Sequence, residues 1–110
     1  MTEENQVPRQ KQLKPSILIE KGLLIPMPRI MRMARVLQPF YVKIELDQGE
    51  FVATSDISDV YEQGKTRRLA ALHYLSSLAD EIVWFQEHQE RLSHAMLESF
   101  SKLRLYLDLV

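Results

Sequence analysis

The chain contains no cysteine, which excludes disulfides, thiolate metal sites and thiol chemistry and fits a reducing compartment. It also lacks a long hydrophobic run: Lys21, Pro26 and Pro28 break its longest apolar stretches, and no such stretch stands behind the opening Met-Thr-Glu-Glu-Asn-Gln. Neither a signal peptide nor a membrane span is expected, and a cytoplasmic location follows as the expectation. The three histidines, His73, His88 and His94, have no ligand spacing, and no serine stands in a nucleophile-elbow context. Gly64-Lys65-Thr66 matches the end of a phosphate loop, but Asp59 occupies the place of the upstream glycine and would repel the phosphate. No catalytic, cofactor-binding or metal-binding set is therefore expected, nor an enzyme.

What is present suits one small domain. With 110 residues, 45 % of them apolar, the chain has room for a single core, and a module of this size buries only about 60 to 65 % of its unfolded surface. Help from a partner or from a second copy is expected on that ground. The net charge of -1 conceals an asymmetry: residues 1–39 hold seven Lys or Arg against three Glu, and residues 40–110 hold seven against twelve acidic residues. An acidic body repels nucleic acid and steers basic proteins toward itself.

The clearest local pattern lies between Phe40 and Gln86. Val42, Ile44 and Leu46 alternate with Tyr41, Lys43 and Glu45, the period of a strand with one face on a core. Gln48-Gly49 reads as a tight turn, with Gly49 taking a positive φ and setting Leu46 opposite Phe51. A third strand ends at Gly64, which lets the chain turn sharply into a helix through a positive φ or a close backbone approach. Thr66 is the expected N-cap. Leu69, Leu72, Leu75, Leu78, Ala79, Ile82 and Phe85 continue on helical spacing, and this stripe can cover the inner face of the sheet.

Around this unit, residues 1–15 read as a flexible arm and residues 16–39 as a basic leader. Ile17, Ile19, Leu23 and Ile25 flank Glu20-Lys21-Gly22 and suit either two very short strands or an extended apolar strap, with Pro26 and Pro28 favouring the strap. Ile30, Met33, Ala34 and Leu37 have the spacing of a short helix between Pro28 and Pro39, which would carry Arg29, Arg32 and Arg35 on its polar side. Beyond a break after Gln86, Ser93 reads as a second N-cap, with Leu92 and Leu97 as a hydrophobic staple. The stripe Met96, Phe100, Leu103, Leu107 and Val110 then predicts a helix to the last residue. Four large side chains of that stripe, Met96, Phe100, Leu103 and Leu107, represent about 1.5 to 3 kcal/mol each if buried; either the first helix or a second copy of the chain can cover them, and the small core and open sheet edge favour a homodimer.

Glu50-Phe51-Val52-Ala53, Asp59-Val60-Tyr61, Gln63-Gly64-Lys65-Thr66 and Ala70, in this order, resemble the HicB-like antitoxin family over residues 40 to 86. Leu92-Ser93, Leu97, Leu103 and Leu105-Tyr106-Leu107 are similar to the C-terminal helix of one subgroup. His94 stands where that subgroup has Pro, Arg67-Arg68-Leu69 replaces acidic residues early in the first helix, and a Pro-Gly before the third strand is missing. The resemblance implies an α+β fold related to part of a ribonuclease-H-like sheet. This would be a small three-stranded antiparallel β-β-β-α unit over residues 40–110, with a long helix, a second C-terminal helix and a basic N-terminal extension.

It also implies an antitoxin-like module that neutralises a small basic ribonuclease toxin by direct contact, through the outer sheet face and an acidic link holding Asp56, Asp59, Tyr61 and Glu62. The ribonuclease-H relation raises the question of two bound magnesium ions. Against them, Glu45 alternates with core residues, Asp47 and Glu50 flank a turn, and turn bonding accounts for Asp56 and Asp59. The alternative function is a dimeric nucleic-acid-associated protein binding through Arg29, Arg32 and Arg35.

Overall fold

The computed structural model describes residues 16–110; the expected arm, residues 1–15, lies outside them. Strands β1 (Ser16–Ile19), β2 (Leu24–Met27), β3 (Arg32–Val36), β4 (Phe40–Asp47), β5 (Glu50–Ser55) and β6 (Ser58–Gly64) come first. Helix α1 (Arg67–Glu87), helix α2 (His94–Arg104) and strand β7 (Leu107–Leu109) follow. The fold is α+β, but a single three-stranded sheet is not what forms. The described residues form two antiparallel sheets, one of four strands in the order β1-β4-β5-β6 and one of three in the order β2-β3-β7.

The β4–β5 hairpin follows the alternation of its residues. Leu46 lies opposite Phe51 and Asp47 opposite Glu50, and the two linking residues, Gln48 at φ 52° and Gly49 at φ 85°, both adopt the left-handed conformation that matches the twist of a two-residue turn. Val42 and Ile44 are buried, whereas Leu46, at the hairpin tip, is 67 % exposed. Gly64 has no positive φ. Its role is a close approach, since a Cβ there would lie 2.8 Å from the Leu69 carbonyl carbon and 2.9 Å from the Ala70 Cα. Thr66 then caps α1, its hydroxyl accepting from the Leu69 amide at 3.0 Å.

The buried face of α1 is Ala70, Ala71, Tyr74, Leu75, Leu78, Ala79, Ile82 and Phe85, which keeps the expected stripe from Leu75 onward but replaces Leu69 and Leu72 with Ala70, Ala71 and Tyr74. Residues three apart drift by about 60° per step around a helix, so Leu69 and Leu72 slide off the core and are 41 % and 47 % exposed. Small Ala70 and Ala71 let the first turns sit close to Gly64. The helix touches β4, β5 and β6 of the large sheet and β2 and β7 of the small one, so one core serves both sheets.

The leader is part of that core. β1 joins the large sheet, with Ile17 opposite Val42 and Ile19 opposite Phe40, while β2 and β3 form the small sheet. The strap is thus two strands that part company at Gly22, whose φ is +92°. The expected helix over Ile30, Met33, Ala34 and Leu37 is strand β3 preceded by one 3-10 turn at Pro28–Ile30. Met, Arg and Ala favour helices, but alternation buries Ala34 and Val36 fully, and pairing on both sides outweighs intrinsic propensity.

α1 ends at Glu87, and Ser93 caps α2, accepting from the Met96 amide at 3.2 Å. The last helix does not run on to Val110. It stops at Arg104, and the chain turns back so that Val36 faces Leu107 and Ala34 faces Leu109. Further bonds run from the Leu37 amide to the Tyr106 carbonyl at 2.7 Å and from the Val110 amide to the Met33 carbonyl at 2.8 Å. Phe100, Leu103 and Leu107 are buried within the chain, with the Phe100 ring 5.2 Å from that of Phe85. The stripe expected to form a dimer is therefore used internally, and Met96 alone of its four members is exposed.

Candidate partner-binding face

Alternation along the large sheet sends one set of side chains onto α1 and the other outward. The outward set is Leu18 from β1, Tyr41, Lys43 and Glu45 from β4, Val52 and Thr54 from β5, and Asp59, Tyr61 and Gln63 from β6. Leu18 faces Tyr41, Lys43 faces Thr54, and Val52 lies between Glu45 and Gln63. Tyr41 and Tyr61 are each 63 % exposed, so neither ring is covered. Lys43 and Glu45 form an exposed ion pair at 3.4 Å, which contributes little to stability.

The acidic link expected from the sequence is dissolved by this geometry. Asp56 sits in the tight turn between β5 and β6, and Asp59, Tyr61 and Glu62 belong to β6 itself. Asp59 and Tyr61 share the outer face, but Glu62 points the other way and accepts a hydrogen bond from the Ser77 hydroxyl of α1. Tyr41 was not singled out from sequence as a contact residue, although its place between Phe40 and Val42 already marks it as outward-facing.

The inner side of β6 carries a polar seam. The Ser58 hydroxyl donates to Glu81 at 2.7 Å, Ser55 and Tyr74 share a hydrogen bond of 2.7 Å, and the His73 Nδ1 donates to the Gln63 carbonyl at 2.7 Å. Burial raises the Glu81 carboxyl above its ordinary range, Ser58 opposes the shift, and Asp59 adds to it. Burial likewise raises the Tyr74 phenol, against its bond to Ser55. The seam locks α1 onto β5 and β6. Among the described residues no three His, Asp or Glu side chains are grouped so as to hold a metal ion.

The three arginines of the leader do not share one face. Arg29 reaches Asp80 of α1 at 3.1 Å, bridging a groove of about 540 Å³ whose walls include Pro26, Pro28, Ile30 and Trp84. Arg32 and Arg35 stand three apart on β3 and so point to opposite sides of it. Among the described residues the three arginines are therefore not aligned as a helix would align them, because the segment that carries Arg32 and Arg35 is a strand. Among the described residues no helix is long and apolar enough to cross a membrane. No protein-family model matches the chain, and no curated protein or solved structure shows significant similarity to it.

Proposed function

We propose that the chain is a protein-binding module of antitoxin type, working in the cytoplasm without catalysis of its own and holding a small basic protein, a ribonuclease toxin, on the outer face of its four-stranded sheet. The observation that carries this reading is the uncovered pair Tyr41 and Tyr61, 63 % exposed on a face that also bears Asp59 and Leu18. Tyrosines of this kind offer large, rigid contact area with a polar end, and interfaces are enriched in them. The charge supports a basic partner, since residues 40–110 carry twelve acidic against seven basic side chains. The similarity of Glu50 to Ala70 to HicB-like antitoxins supports the class of partner.

The test is co-expression with the product of the adjacent reading frame, followed by mass measurement of the purified complex. The expected result is a heteromeric complex with a small basic chain. Tyr61→Ala together with Asp59→Lys weakens it at least about tenfold, a loss of roughly 1.4 kcal/mol, while Arg29→Ala leaves it unchanged. A chain that purifies without such a companion, or a complex indifferent to Tyr61 and Asp59, overturns the reading.

A further inference from the structure

Two sheets present four edges, and three of them carry a feature that discourages a further strand. β2 contains Pro26, which has no amide hydrogen to donate. β7 is three residues long with Asp108 at its centre, and β6 carries Asp59 and Glu62. β1 differs: Ser16-Ile17-Leu18-Ile19 has no charge, no proline and no glycine. Among the described residues no strand lies along its outer edge. An uncharged edge strand rich in β-branched residues, unpaired on its outer side by any described strand, is a template for strand addition.

We propose that β1 pairs antiparallel with β1 of a second copy of the chain, about a two-fold axis perpendicular to the sheet, joining the two four-stranded sheets into one of eight. Such an axis sets the same short segment of the strand opposite itself, so a charged edge meets like charge within a few residues, and β1 is the edge free of that repulsion. Because the axis keeps outer faces on one side, only residues of the same alternation can face each other. The register that places Leu18 opposite its symmetry mate puts Ile17 opposite Ile19. Leu18 is 46 % exposed and already lies beside Tyr41, 63 % exposed. The pairing extends this into a row of Tyr41, Leu18, Leu18 and Tyr41 across the junction, covering the leucines. A basic partner gains nothing from an edge without charge; although Leu18 and Tyr41 also belong to the outer face, Asp59 and Tyr61 stand on β6, at the opposite edge of the sheet from β1.

The absence of native cysteine makes the register directly testable. Leu18→Cys should cross-link to a covalent dimer under mild oxidation, while Leu46→Cys, at the more exposed hairpin tip, stays monomeric. Wild-type protein at about 100 μM, above micromolar dissociation constants, should scatter light as a dimer. Leu18→Lys should raise the dissociation constant at least about tenfold with an unchanged circular dichroism spectrum, and with an unchanged melting temperature at dilutions where the wild type is itself monomeric, because the site is exposed in the single chain. A monomeric wild type, equal cross-linking at positions 18 and 46, or a dimer that survives Leu18→Lys overturns the proposal. None of these outcomes involves the basic partner, so the two readings fail separately.

Discussion

Val36 and Leu107 face each other across β3 and β7, and neither exposes any surface. The pair ties the leader to the segment after α2, and both side chains belong to the core shared by the two sheets. Leu107→Ala should cost about 2 to 5 kcal/mol in a denaturant melt, as for other buried leucines. A loss within about 0.5 kcal/mol, the scale of surface substitutions, would mean that β7 is dispensable.

Gly64 gives a second measurement. Its Cα lies against the backbone of Leu69 and Ala70, and backbone does not move aside as a flexible side chain would. Gly64→Ala should cost about 1 to 3 kcal/mol, with Gly64→Val at least as damaging. Thermal unfolding that leaves both variants at the wild-type midpoint would remove the close approach as its cause.

Phe100 distinguishes core from interface. It is 4 % exposed, stacked near Phe85 and overlain by the Arg104 guanidinium at 5.3 Å. Phe100→Ala should lower stability by about 3 to 5 kcal/mol. Any effect on association should appear only as the chain unfolds. A folded, fully stable monomer produced by this change would return α2 to the role of a dimer helix.

Glu81 predicts a pH dependence. Burial and Asp59 raise its carboxyl in the folded state above the ordinary 4.5, and the Ser58 hydroxyl only partly offsets them. The folded chain therefore binds the proton more tightly than the unfolded one, so this group's contribution is most favourable below that ordinary value. It declines as pH rises through the raised value. Glu81→Gln should remove that decline, so that the stability difference between variant and wild type grows in the variant's favour with rising pH and then levels off. Parallel stability curves for the two proteins would refute it.

Local patterns made much of the centre legible: the turn at Gln48-Gly49, the caps at Thr66 and Ser93, and the break after α1 follow from neighbouring residues alone. The two-sheet architecture was not legible, because its strands are short and owe their state to distant partners. β2 and β7 hold four and three residues, too few to show a period of their own, and β3 is written in helix-forming residues. Leu107 completed a helical stripe in sequence, yet Val36 makes it a strand residue. The candidate face was half visible. Asp59 and Tyr61 could be named from sequence, but grouping them with Glu62 ignored the alternation that turns Glu62 toward Ser77.

The pairing of β3 between β2 and β7 also bears on how the chain matures during synthesis. The large sheet and α1 have all their residues available early, whereas β3 has only β2 beside it until residues 107–109 have emerged. Until then Ala34 and Val36 lack their strand partners Leu109 and Leu107 on that side. Closure of so distant a contact comes late and slowly. Any substitution that slows the docking of residues 107–109 thus acts on the step that completes the small sheet.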